Sequence, residues 1–145
     1  MRQRLYALFD DIDRLFMIGD PSRCAEHFRY PVALSRGGDS PWRLVLDEAD
    51  YRQVFATIGL LLRQRGMVSY RTEVESFRAR GDGADAICRE TARDVEDRIV
   101  WTALNRYLVS RFDLDLKVTA IEAIEVEPEF AEALLGALPP SITLN

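Results

Sequence analysis

Two carboxylate side chains on one predicted strand are the strongest candidates for chemistry in this sequence. Glu90 and Asp94 stand four residues apart in a segment of alternating polar and apolar residues, so both point to one face of a strand. A carboxyl group held in an apolar cavity has a raised pKa and can accept or donate a proton near neutral pH. Both are therefore candidate general bases or acids. The alternative is that an arginine neutralises Glu90 and that Asp94 is solvated near a turn.

The other candidates are polar and aromatic side chains suited to ligand contacts. His27 is the only histidine, and its ordinary pKa lies closest to neutrality. It closes a predicted helix, so its alternative role is to interact with the negative end of that helix. Five more side chains are expected to line a pocket for a small apolar or amphipathic molecule, unless they simply fill the core: Tyr30, Tyr70, Trp101, Asn105 and Tyr107.

Three helices are predicted in the first half of the chain. Apolar residues recur every three or four positions between Leu5 and Phe16, which predicts an amphipathic helix. Its solvent side is expected to carry Asp10, Asp11, Asp13 and Arg14. Asp20 and Pro21 are typical of a helix start, here of a short helix over residues 21–28. Asp47 is expected to cap a third helix that ends at Gly66.

Strands are predicted around these helices and throughout the second half. Residues 30–34 and 42–46 are expected to be strands separated by a loop at 37–41. After Gly66 the apolar period changes to two. Residues 68–80 and 84–95 are expected to form a hairpin with a three-residue turn that pairs Arg80 with Ala84. This register places Glu75 opposite Arg89 on the solvent face, together with Phe77 and Ile87.

A second hairpin is predicted to turn near residues 96–97. It pairs Ala92 with Trp101, Glu90 with Ala103 and Cys88 with Asn105, which directs these side chains inward. The outer row of Val100, Leu104 and Leu108 is too apolar to face water, so a partner subunit or the C-terminal segment is expected to cover it. Residues 116–126 are expected to form the last strand, with the face of Glu122 left open. A short helix is expected in the tail, residues 128–145.

Composition narrows the class of protein. The 145 residues are expected to form one domain, residues 1–145. The net charge of −5, with arginines alternating with acids, argues against nucleic-acid binding. No apolar run approaches the length of a membrane span. Two cysteines without metal-site spacing favour free thiols and a cytoplasmic location. No metal or cofactor motif is present, so no cofactor is expected.

The order of elements resembles the nuclear transport factor 2-like superfamily, which includes ketosteroid isomerases and SnoaL-type polyketide cyclases. The resemblance rests on that order, on residues 28–32 (FRYPV) after two helices, and on the long closing hairpins. It implies an α+β fold in which a strongly curved, mostly antiparallel sheet wraps around N-terminal helices, forming a cone with an internal pocket. It also implies a homodimer formed through the outer sheet surface.

The resemblance carries over only in part to the site residues. The isomerases place an acidic base just before the proline of the first strand, where this chain has Tyr30. Their oxyanion hole uses a tyrosine of the first helix and an acid on the sheet; here Tyr6, Asn105 or Tyr107 would supply the donors. Isomerase chemistry of that kind therefore lacks its central residue, and the fold alone does not restore it.

Three functions remain open from the sequence. The first is a small-molecule binding domain with an internal cavity. The second is a cofactor-independent isomerase, cyclase or dehydratase with Glu90 as general base. The third is a structural or interaction module that works through the apolar outer sheet face.

Overall fold

The computed structural model describes residues 1–36 and 43–138, which form four helices and six strands. The predicted loop at 37–41 and Trp42 lie outside these residues. The elements in chain order are α1 (Arg2–Ile18), α2 (Pro21–Ala25), β1 (Phe28–Ser35), β2 (Arg43–Val45), α3 (Glu48–Gln64), β3 (Ser69–Arg80), β4 (Gly83–Arg93), β5 (Ile99–Phe112), β6 (Asp115–Glu125) and α4 (Pro128–Gly136).

The six strands form one sheet in the order β2-β1-β6-β5-β4-β3. Strand β1 runs parallel to β6, and every other neighbouring pair is antiparallel. The helices cover the concave face of this curved sheet. The predicted fold class, α+β with a mostly antiparallel sheet around N-terminal helices, is confirmed.

The helices begin where the sequence signals predicted. The side chain of Asp20 accepts a hydrogen bond from the Arg23 amide at the start of α2. At the start of α3, Asp47 accepts one from the amide of Asp50, whose own carboxylate accepts one from Leu46. The Asp20 and Asp47 side chains each satisfy a first-turn amide that has no partner within its helix. Helix α2 is shorter than predicted, because the chain enters β1 at Phe28.

The β3–β4 hairpin differs from its predicted register. Its turn has two residues rather than three, so Arg80 pairs with Gly83 and not with Ala84. A Cβ atom at Gly83 would lie 2.0 Å from the Val109 carbonyl oxygen, so this first position of β4 requires glycine. The predicted exposed contact between Glu75 and Arg89 is nevertheless present, at 3.3 Å.

A bulge explains how that contact survives the changed register. The pairing shifts between Val74 and Ser76, and the extra residue is Glu75. Because a bulge exchanges the two faces of a strand, Phe77 packs against the core and Ser76 is exposed. The predicted outward position of Phe77 is therefore wrong, whereas Tyr70 and the other inward residues before the bulge keep their predicted face.

The β4–β5 hairpin has the predicted register. Ala92 pairs with Trp101, Glu90 with Ala103 and Cys88 with Asn105. The expected outer row is partly wrong, because a register shift at the start of β5 packs Val100 against the core. In β6, the Glu122 carboxylate lies 3.4 Å from the Arg106 guanidinium on the outer face.

Helix α1 contacts the free edge of the sheet at β3. Its apolar stripe from Leu5 to Phe16 is buried as predicted, but Asp13, predicted on the solvent side, is only 7% exposed. The cause is the edge strand, whose Thr72 amide has no strand partner to bond. Asp13 Oδ2 accepts from that amide at 2.7 Å, and Oδ1 accepts from the Thr72 hydroxyl at 2.8 Å. A carboxylate from the helix therefore satisfies the sheet edge.

Within the described part of the chain, no helix combines the length and the apolar character that a membrane crossing requires.

Candidate functional site: an interior cavity

Two adjoining cavities lie between the sheet and the helices. Cavity A has a volume of about 110 Å³, and its own walls include five aromatic side chains: Phe9, Phe16, Phe28, Tyr51 and Phe55. Cavity B has a volume of about 130 Å³, and its own walls come mainly from β5 and α4: Trp101, Ala103, Asn105, Phe130, Leu134 and Leu135. Concave, largely apolar spaces of this kind are typical of small-molecule sites.

The two cavities share one wall. Three of its side chains are polar, namely Tyr70 from β3, Glu90 from β4 and Tyr107 from β5. Four others are apolar: Leu34, Val54, Ile58 and Ile121. The β3–β4 and β4–β5 pairings bring the three polar residues together, because each lies on the concave face of its strand.

Glu90 is the centre of this wall and is 7% exposed. The Tyr70 hydroxyl donates to Glu90 Oε1 at 2.5 Å, and the Asn105 side-chain amide donates to Oε2. Tyr107 also hydrogen-bonds to the carboxyl group. The predicted inward orientation of Glu90 agrees with the structure; its chemical role stays a prediction.

Burial decides the protonation of the Glu90 cluster. Loss of water raises the pKa of Glu90, and the hydrogen bonds from Tyr70, Asn105 and Tyr107 oppose that rise by favouring the carboxylate. Burial, reinforced by the Glu90 charge, also raises the pKa of Tyr70 and Tyr107 well above 10. Both tyrosines are therefore protonated at neutral pH, and their hydroxyls act as hydrogen-bond donors beside the Glu90 carboxyl group.

Helix α4 closes cavity B and is held by an ion pair. The two terminal nitrogens of the Arg65 guanidinium, Nη1 and Nη2, donate to the Glu127 carboxylate at 2.8 and 2.6 Å. The same guanidinium lies 4.9 Å from the centre of the Phe130 ring, a cation–π contact. These contacts fix the first turn of α4, so that Phe130 and Ala131 face the cavity.

Asp13 is a second buried carboxyl in this interior and was missed from the sequence as a site residue. It lines cavity A and receives the two Thr72 hydrogen bonds described above. Burial raises its pKa to about 7, with the Glu90 charge adding to the rise. The signal was present, because Leu5, Phe9 and Asp13 follow one another at four-residue spacing on one line of the helix.

Asp94 does not reach either cavity. Strand β4 ends at Arg93, and Asp94 lies in the following turn, where it accepts from the amides of Glu96 and Arg98. Its carboxylate also contacts the Arg98 guanidinium at 3.1 Å. The hydrogen bonds from Arg98, the backbone amide first, keep the pKa of Asp94 below its ordinary value. The prediction that it points inward is wrong because the turn begins before the alternation reaches it.

The two candidates that precede Pro31, His27 and Tyr30, also lie outside the cavities. His27 Nε2 is 2.6 Å from Asp11 Oδ2 in a surface groove that Arg4 and Leu114 also line. The Tyr30 hydroxyl donates to the Ala25 carbonyl at 2.9 Å, and burial raises its pKa. Neither side chain contributes to the walls of cavity A or B. Tyr70, Trp101, Asn105 and Tyr107, in contrast, do line them.

The cysteines and the acidic groups offer little for nucleophilic or metal chemistry. Cys24 and Cys88 are buried free thiols, and burial raises the pKa of Cys24 to about 11. A thiol with such a pKa carries almost no thiolate at neutral pH. Across residues 1–36 and 43–138, no three His, Cys, Asp or Glu side chains are grouped as a metal site requires.

Comparisons with known proteins identify the fold. No protein-family model and no curated protein sequence matches significantly. Among solved structures, the chain is similar to an NTF2-like protein of unknown function from Shewanella oneidensis. The TM-score is 0.62 and the identity 11%, over 84% of this chain and 97% of that one.

Two further solved structures give the same result. An NTF2-like protein with a cystatin-like fold from Novosphingobium aromaticivorans has a TM-score of 0.63 and 16% identity, over 92% of this chain and 88% of that one. A protein of unknown function with a cystatin-like fold from Nostoc punctiforme has a TM-score of 0.63 and 16% identity, over 88% and 91%. The chain therefore has the fold of the nuclear transport factor 2-like proteins, as the order of its elements predicted.

Proposed function

We propose that this protein binds a small, mainly apolar molecule with a hydroxyl or carbonyl group in cavities A and B. The observation that carries the proposal is the buried Glu90 carboxyl between two largely apolar cavities, where its partners are the neutral donors Tyr70, Asn105 and Tyr107. Burying a carboxyl in such a setting costs free energy of desolvation, and an apolar side chain would fill the same space without that cost. A hydrogen bond from a bound ligand reduces that cost.

The cavity walls support an apolar ligand. Each cavity has little polar surface apart from the Glu90 cluster and a few side chains at its ends. Burial of apolar surface contributes roughly 25 cal/mol per Å², so these walls would supply most of the binding energy. The few polar groups would then select ligands by hydrogen bonding, because an unpaired buried group costs about 1–3 kcal/mol.

Filling cavity B tests the proposal. Ala131→Leu places a larger side chain in cavity B, whereas Glu132→Leu places the same side chain on the exposed face of α4. Isothermal titration with diphenylmethanol is expected to show affinity at least 10-fold weaker for Ala131→Leu and within twofold of wild type for Glu132→Leu. Equal affinities for all three proteins would show that the ligand binds elsewhere.

The raised pKa of Glu90 favours a second candidate function, proton transfer to or from the bound molecule. A buried carboxyl with a raised pKa is a suitable general base, and Asn105 and Tyr107 would stabilise an enolate oxygen beside it. Exchange of the α-hydrogens of phenylacetone in D₂O, followed by NMR, measures this. Wild type is expected to exchange at least 10-fold faster than Glu90→Gln; equal rates would contradict catalysis by Glu90.

We further propose that a second copy of the chain covers the outer sheet face. Leu104 and Leu108 on β5 are only partly buried, and β5 is an inner strand of the sheet. Sedimentation of wild type is expected to show a dimer that Leu104→Asp dissociates. Val95→Asp, at an exposed turn, is the matched control and should leave it intact. A dimer that survives Leu104→Asp would contradict the role of this face.

A further inference from the structure

We propose that cavities A and B are two lobes of one site, and that its ligand carries its hydrogen-bonding group in the middle, between two apolar groups. The inference rests on the proposed function and specifies the class of ligand. It follows from where the polar side chains stand relative to the two lobes.

The polar side chains of the site lie where the two lobes meet, and we call this junction the waist. Tyr70, Glu90 and Tyr107 line both cavities, so they stand where the two spaces meet. The parts that belong to one lobe alone are mostly apolar. The aromatic side chains Phe16 and Phe55 wall lobe A, and Trp101, Phe130 and the α4 leucines wall lobe B. A ligand that fills both lobes would therefore meet apolar surface at both ends and a carboxyl at its centre.

The other polar groups in the two lobes differ, because some are already hydrogen-bonded and two in lobe B are not. In lobe A, both carboxylate oxygens of Asp13 already accept hydrogen bonds from Thr72. In lobe B, the Asn105 amide already donates to Glu90. Ser35 Oγ and Trp101 Nε1 also line lobe B and are buried without a hydrogen-bond partner, so together with Arg36 they offer the competing position for a polar group at one end of the ligand. The comparison of isomeric ligands below separates the two positions.

The volumes set the size of each apolar group. An apolar cavity of about 150 Å³ can hold a benzene molecule. Lobes A and B, at about 110 and 130 Å³, are of that order, so each suits one six-membered ring or a branched alkyl group of similar size. Together they suit a molecule of two such groups.

A secondary hydroxyl at the centre of the ligand fits the waist whether the Glu90 carboxyl is protonated or ionised. The Glu90 carboxylate accepts a hydrogen bond from a hydroxyl, and the protonated Glu90 carboxyl donates one to it. A carbonyl oxygen, in contrast, can only accept, from the protonated carboxyl or from the hydroxyls of Tyr70 and Tyr107. The site is therefore expected to prefer the alcohol over the ketone as pH rises and Glu90 ionises.

Two isomers test the position of the polar group. Diphenylmethanol carries its hydroxyl between two rings, and 4-benzylphenol carries it at one end; diphenylmethane has none. Isothermal titration is expected to show diphenylmethanol binding at least 10-fold tighter than both others. Equal or tighter binding of 4-benzylphenol would overturn the central position, while the dependence on Ala131→Leu would still uphold the proposed cavity.

Filling each lobe separately tests whether the two form one site. Ala131→Leu reduces lobe B, and Val45→Phe reduces lobe A. Each variant is expected to weaken the binding of diphenylmethanol at least 10-fold. The binding of benzyl alcohol, which has one ring, should weaken less than threefold. An equal loss for both ligands would overturn the two-lobed site. If Val45→Phe does not fold by circular dichroism, the isomer comparison still decides the inference.

Failure of the proposed function has a different signature. If none of these alcohols binds, or if binding is indifferent to Ala131→Leu, the cavities do not hold such ligands and both proposals are overturned. If binding responds to Ala131→Leu but not to the position of the hydroxyl, only the inference drawn here is overturned.

Discussion

The sheet wall and the helix wall of the interior each carry one buried carboxyl, and the two are held in different ways. Glu90, on the sheet, receives hydrogen bonds from the side chains of Tyr70, Asn105 and Tyr107. Asp13, on α1, receives both of its hydrogen bonds from Thr72, and one donor is a backbone amide at the sheet edge. Each group is 7% exposed.

The difference indicates different roles for the same chemical group. If Asp13 were removed, the amide and the hydroxyl of Thr72 would be left buried without an acceptor. The Asp13 carboxyl therefore has a structural role, because it links α1 to the edge of the sheet. If Glu90 were replaced, its side-chain donors could turn toward a ligand or toward one another. A buried carboxyl whose partners are side chains that can reorient is suited to binding a ligand. A buried carboxyl that bonds a backbone amide is suited to stabilising the fold. Mutations that separate these two roles test the comparison.

The largest expected effect is on the pH dependence of stability, through Asp13. Its folded-state pKa is about 7 and its ordinary pKa is 3.8, so the folded protein holds an extra proton between these values. The free energy of unfolding therefore falls as pH rises through this window, and Asp13→Asn removes the fall. From pH 4 to pH 8, the stability of Asp13→Asn relative to wild type should rise by up to about 4 kcal/mol.

Urea unfolding at pH 4, 6 and 8 measures this difference. Other acids with lowered pKa values, such as Asp11, act in the opposite direction in both proteins and cancel in the comparison. If the relative stability did not change with pH, Asp13 would ionise as an exposed aspartate does, and the prediction would be wrong.

The next effect separates the acceptor from the charge at Asp13. Asp13→Ala leaves the Thr72 amide and hydroxyl unpaired, so at pH 6 it should lower the free energy of unfolding by about 2 kcal/mol. Asp13→Asn keeps an acceptor and should lose less. Asp10→Ala, at an exposed position of the same helix, should change stability by less than about 0.5 kcal/mol. Equal losses for the two alanine variants would refute the link between α1 and the sheet edge.

The smallest effect is expected at Glu90. Glu90→Gln keeps the shape and an oxygen acceptor, so at pH 6 the free energy of unfolding should change by less than about 1 kcal/mol. Because the Glu90 charge helps to raise the pKa of Asp13, the variant should also shift the pH dependence of Asp13 to lower pH. Chemical denaturation across pH measures both. A loss of several kcal/mol would show that the sheet wall, too, depends on its carboxyl.

The sheet wall was predictable from the sequence because its rules are local. Alternation with a period of two fixes the face of every residue once one pair is known, and the turn near residues 96–97 fixes that pair. Hence the inward positions of Glu90, Trp101 and Asn105 were predicted. The errors arise where alternation is interrupted, at the Glu75 bulge and at the turn that holds Asp94.

The helix wall was less predictable because its environment is set by tertiary contacts. The apolar stripe of α1 defined the buried face, but Asp13 lies at the border of that face and its charge favoured the solvent side. Only the free amide of the β3 edge makes its burial favourable, and the pairing of β3 had to be known first. Likewise the leucines of α4 were expected in a helix, yet their place in cavity B depends on the Arg65–Glu127 contact.

The parallel pairing of β1 with β6 has a consequence for the order in which the site forms. Strands β3 to β6 pair with neighbours in the sequence, whereas Phe28 pairs with Val118 across most of the chain. Local hairpins close quickly, and a strand that requires a long loop joins late. The face that carries Glu90 is therefore built while it is still open to water. Its carboxyl loses hydration when β1 and the helices pack over this face, and that loss of water disfavours the charged carboxylate.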